Sequence, residues 1–136
     1  MALDLNAVMD AIGTRLATVT GLRVYDYAAD AAAPPAAIVS LPQTVEYDTV
    51  SGRGADRVVV PVLVLVGKVS DRAARDQIAQ YVSGTGSLSI KTAIEGNGSD
   101  LGAVAHTVRV TEARVDVVTI QGIDYVGASF DCEVFD

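Results

Sequence analysis

Nine consecutive apolar residues, Val58 to Val66, lie between Asp56-Arg57 and Gly67-Lys68, and this run constrains the chain more than any other segment. It is about half the length of a membrane-spanning helix, which needs roughly 20 residues, and it contains Pro61. The run reads as a strand over Arg57 to Lys68. Val58, Val60, Val62 and Val64 alternate with Val59, Leu63 and Leu65, so both faces of that strand are apolar. Two apolar faces call for a central position or cover on both sides. Proline removes a ladder donor and argues instead for an edge or a bulge. An edge strand covered by a neighbouring subunit reconciles the two, and Val58 and Val60 are then inter-subunit contacts.

The remaining pattern supplies helices and further strands around this one. Leu5, Val8, Met9, Ile12, Leu16 and Val19 recur at helical spacing from residue 3 to about 19, with Asp4 at the positive end of the helix dipole and Gly21 as the stop. Arg23 to Ala28 predicts a short strand, Asp30 to Pro35 a loop, and Ala37 to Tyr47 a second strand in which Pro42 marks a bulge or an edge. Asp48 to Asp56, with Ser51-Gly52-Arg53-Gly54, predicts a long hairpin connection. Ser70 and Asp71 suit the start of a second helix, whose stripe is Ala74, Ile78, Tyr81 and Val82 and which ends at Gly84. Ser87 to Glu95 is a short third helix, and Gly96 to Asp100 is turn-rich. Val104 to Ile120 and Asp124 to Phe135 are strands joined at Gln121-Gly122. In the last, Val126, Ala128, Phe130, Cys132 and Val134 share one face, while Ser129, Asp131 and Glu133 face water. The whole is a single α+β domain over residues 1–136: a mainly antiparallel or mixed sheet flanked by two to three helices, with a long β-hairpin.

Charge and residue usage exclude several functions. Ten Lys+Arg against 17 Asp+Glu give a net charge of −7, the opposite of the footprint needed to grip nucleic acid or an anionic membrane. Cys132 is the only cysteine, so no internal disulfide forms and a reducing compartment is expected; the first residues carry no basic-then-apolar signal. No phosphate-binding loop is present, and Gly52-Arg-Gly54, Gly84-Thr-Gly86 and Gly96-Asn-Gly98 are turn glycines. The single histidine, His106, has no catalytic signature around it, and Cys132 sits on an apolar strand face as a small hydrophobe. The carboxylates are dispersed and match no calcium loop. No catalytic residue, cofactor or metal ligand is expected. Arg53 and Arg57, in and beside the glycine-bearing loop, are the exception to weigh as contacts to an acidic partner, against the simpler reading of two solvated arginines.

The order helix, strand, long hairpin, helix and a C-terminal strand pair resembles the tail terminator proteins of long-tailed bacteriophages. The likeness lies in the opening Leu3 to Val8 helix, the Pro34 to Val39 approach to the second strand, the Gly52-Arg53-Gly54 hairpin and the closing Gly127 to Val134 strand. It is one of layout over the whole chain. The resemblance implies a homohexameric ring that stacks on the last ring of tail tube protein, ends polymerisation and presents a surface to the head connector or stopper. It implies a virion protein, assembled in the host cytoplasm and placed at the head-proximal end of the tail. The hairpin would reach a neighbouring ring or subunit through Arg53 and Arg57. Six copies of an acidic chain would line a lumen that lets DNA pass without holding it, Asp131 and Glu133 being candidate lumen carboxylates. Competing readings are another head–tail connector or stopper subunit, a non-viral α+β adaptor domain with a pocket, and a small hydrolase.

Overall fold

A computed structural model describes residues 4–25, 35–42, 44–47, 56–68, 72–96, 107–120 and 122–135. They form one α+β domain with a mixed six-stranded sheet and three helices. In chain order these are α1 (Leu5–Leu16), β1 (Arg23–Tyr25), β2 (Ala36–Val39), β3 (Val45–Glu46), β4 (Arg57–Lys68), α2 (Arg72–Val82), α3 (Ile90–Glu95), β5 (Thr107–Ile120) and β6 (Ile123–Phe135). The sheet runs β1-β2-β4-β6-β5, and β3 pairs with β4 beyond the end of β2. Only the β1–β2 pair is parallel.

Each helix covers the sheet for a local reason. The Asp4 carboxylate accepts the Ala7 N–H at 3.2 Å and caps α1, whose stripe Val8, Met9, Ile12 and Leu16 is buried. The helix ends at Leu16, short of the expected residue 19; the chain then turns to Gly21, whose φ of +79° is left-handed. Ala74, Ile78 and Tyr81 form the buried stripe of α2. In α3, Ser89 takes the cap position, its hydroxyl accepting the Thr92 N–H at 3.2 Å, so the helix begins three residues later than Ser87. The buried Arg15 guanidinium donates to the Ile94 carbonyl at 2.6 Å and ties α1 to the end of α3.

The three helices share one core with one sheet face. Val8, Ile12, Leu16, Ile78, Ile90 and Ile94 pack in a single cluster with Val58, Val60, Val62 and Val64 of β4 and Ala128, Phe130, Cys132 and Val134 of β6. The opposite face carries Arg57, Val59, Pro61, Leu63 and Leu65 of β4; it is open from Arg57 to Leu63, whereas Leu65 is buried there together with Ala36 and Ile38 of β2.

β4 is therefore central, with β2 and β3 on one side and β6 on the other, which corrects the expectation of an edge strand covered by a neighbour. Pro61 is tolerated there because of where its nitrogen points. Its carbonyl accepts the Ser40 N–H at 2.9 Å, so its nitrogen faces the same side, where β2 has ended at Val39. The break at Pro42 divides the expected single strand over residues 37–47 into β2 and β3. β3 and β4 are antiparallel on either side of the expected hairpin, whose connection at 48–55 lies outside the described residues. The longest hairpin is β5–β6, turned at Gly122 with φ of +79°.

Candidate assembly surface

The open face and the two sheet edges hold the side chains that the core does not use. At one end of the open face, Arg57 donates to the Glu133 carboxylate at 2.7 Å and lies 3.3 Å from that of Glu46, with its guanidinium 6.0 Å from the centre of the Phe135 ring. The Glu133 hydrogen bond is the largest cause that holds the Arg57 guanidinium above its usual value. Two strands further on, on β5, Arg114 reaches Glu112 at 2.5 Å and Asp131 at 3.3 Å. Thr44, Val59 and Pro61 complete a shallow depression of about 500 Å³ with these arginines, Glu46 and Asp131.

The charges of this depression are paired with one another. Each arginine is engaged by two carboxylates, so neither is an uncompensated cation, and the Arg114 side chain is the more exposed of the two. Four carboxylates against two guanidinium groups leave the patch acidic by two charges. Among the described residues, no three His, Cys, Asp or Glu side chains converge as metal ligands, and no helix is long and apolar enough to cross a membrane. Cys132 is buried in the core, and burial, with Asp131 and Glu95 nearby, pushes its thiol up to about 12.

The structure distributes the expected site residues unevenly. Arg53 lies outside the described residues, as do His106 and the Asn97-Gly98-Ser99 turn. Arg57 is a half-exposed surface residue whose partners are within its own chain. Val58 and Val60 are 1% and 0% exposed, packed beneath the helices, so their side chains cannot touch another subunit: a correction that follows from strand parity. Asp131 and Glu133 do face the open side, but as partners of Arg114 and Arg57 and not as bare carboxylates.

Five large apolar side chains that sequence reasoning did not single out are exposed among the described residues: Leu41, Tyr47, Val115, Val117 and Ile123. Leu41 and Tyr47 flank β3 at one edge of the sheet. Val115, Val117 and Ile123 belong to the β5–β6 hairpin at the other. The bulge at Val110/Glu112 divides β5. Before it, Val108 and Val110 are buried, and Glu95 of α3 covers the edge by accepting the Val110 N–H at 2.9 Å. Beyond it, residues 111–117 are all exposed. The alternation of Val115 and Val117 with Arg114 and Asp116 was a visible strand signal, but which half of that strand the helices cover was not. The sequence matches no protein-family model and no curated protein.

Proposed function

We propose that this chain is a structural subunit that assembles head to tail into a ring, the tail terminator of a long-tailed bacteriophage, with no enzymatic site of its own. The observation that supports this reading most is the placement of the exposed apolar side chains on two opposite edges of one sheet. A surface that joins two different patches of identical subunits is heterologous, and such contacts generate closed rings when the rotation per subunit closes. A single patch joined to itself would stop at a dimer. A long edge strand exposed on both faces is also a liability that a neighbouring copy removes.

The acidity of the chain and of its open face suits a passage for DNA, because carboxylates repel phosphate and leave the duplex free to slide. In the ring, one rim meets the last tail tube ring and the other meets the head connector or stopper. The engaged arginines of the open depression weigh against an adaptor pocket or a hydrolase, each of which needs convergent polar groups left free for a ligand.

Electron microscopy of the purified chain, alone and with its tail tube protein, tests the reading. Sixfold rings on tube ends are the expected result. Rings that bind a head connector and ignore tubes would transfer the reading to a stopper subunit, and persistent indifference to both would refute it.

A further inference from the structure

Resting on the ring reading, we infer that the joint between subunits is a continued β-sheet, in which the open half of β5 pairs antiparallel with β3 of the next copy, Val115 opposite Val45 and Arg114 opposite Glu46. Three features of the two edges are compatible with this register.

The first is which backbone groups are free. Ser40 N–H donates to the Pro61 carbonyl, so odd-numbered residues of β4 bond toward β2 and β3. Through the β3 register, Glu46 opposite Arg57, the even residues of β3 bond inward and Val45 points its N–H and C=O outward. The same parity carried through β6 makes Glu112, Arg114 and Asp116 bond inward and leaves Val115 outward. Two bonds outside the ladder agree: before the bulge Val110 N–H bonds outward to Glu95, and after it Val117 N–H bonds to the Asp116 carboxylate at 2.7 Å. The extra residue of the bulge thus switches the outward set from even to odd. No described strand pairs with either outward row.

The second is the match of faces. Val45 pairs with Val58, so it lies on the helix-covered side, as does Val115, which pairs with Ala128. Glu46 and Arg114 lie on the open side with Arg57 and Asp131. Extending the sheet without turning it over makes β5 and the next β3 antiparallel and sets apolar against apolar and cation against anion. Sliding the register by two residues would put Glu46 opposite Asp116, a repulsive pair.

The third is stagger. Val115 lies level with Val64 of β4 through Ala128, whereas Val45 lies level with Val58. Each joint therefore shifts the strands by six residues, roughly 20 Å, across four strand positions of roughly 19 Å in all. The resulting tilt of about 45° is of the order that closes a sheet into a barrel.

The test mixes two variants with one added cysteine each, Thr44→Cys and Asp116→Cys, under mild oxidation at concentrations where sedimentation shows self-association. Both positions are exposed, and the buried Cys132 stays silent. A 44–116 adduct predominating over either homodimer is expected, with a covalent ladder when both cysteines share one chain. A predominant Asp116→Cys homodimer, or no mixed adduct, or no self-association at any concentration, overturns the joint. Independently, E46R and R114E should each weaken self-association, and the double variant should restore it; since the exchange leaves Arg57 and Asp131 within each chain facing like charges, rescue can come only from the joint. Failure of rescue counts against it. Tube capping by the wild-type chain without a 44–116 adduct refutes this joint and spares the terminator reading, while the adduct without capping does the reverse.

Discussion

Val115→Lys should separate assembly from folding, because the side chain is 57% exposed in the single subunit and faces the proposed joint. Full burial of a valine contributes roughly 1.5–3 kcal/mol, so covering the exposed fraction contributes roughly 0.9–1.7 kcal/mol per joint. Lysine forfeits that and must keep its ammonium hydrated at the rim. Since about 1.4 kcal/mol is a factor of ten, each joint weakens roughly tenfold, and the loss is repeated at every joint around a ring. Within the single chain the change is on an exposed strand face, where substitutions stay within about 0.5 kcal/mol. For a chain of this size that is a shift in Tm of about 1–3 °C. Sedimentation velocity over a concentration series reads the first effect, and thermal unfolding at high dilution the second, since assembly itself raises Tm by mass action. Unchanged association would refute the assignment of this edge to the joint. A fall in Tm of about 10 °C or more at dilution would show that Val115 belongs to the core of the single chain.

Three further outcomes follow from the same geometry. Glu95→Ala leaves the Val110 N–H without its charged acceptor and Lys91 without its carboxylate partner, so it should cost about 1–3 kcal/mol and speed amide exchange at Val110, read by denaturant unfolding and hydrogen exchange. A double-mutant cycle on Arg57 and Glu133 should give a coupling of about 0.5–1 kcal/mol that fades in high salt, because the pair is only partly buried. Cys132 should resist thiol reagents until the chain unfolds. Its folded pKa, about 12, is raised above the ordinary value of 9.0, so its contribution is complete below pH 9 and declines as pH rises toward 12, by at most about 1.4 kcal/mol per pH unit. Tyr81, also raised by burial, acts in the same direction; Cys132→Ala should therefore flatten the alkaline slope without removing it, and an identical slope would contradict the burial argument.

How far the sequence reaches depends on whether a feature is local. The bounds of β4 were legible because charged residues close a continuous apolar run at both ends, and the covered face of β6 because its alternation is unbroken from Val126 to Val134. The stripes of α1 and α2 were legible for the same reason. Arg57, Asp131 and Glu133 were found as surface residues, but their mutual pairing was not: Arg57 and Glu133 are 76 positions apart and meet only because β4 and β6 are neighbours. Val58 and Val115 are the sharper case. Both are valines in alternating strand segments, and both lie on the helix side of the sheet; one is 1% exposed and the other 57%. Alternation fixes which side chains share a face, since that is a property of the extended backbone. It cannot fix how far along the face the helices extend, since that is decided by their length and by the sheet order, which bring α2 over β4 and β6 and leave the far half of β5 bare.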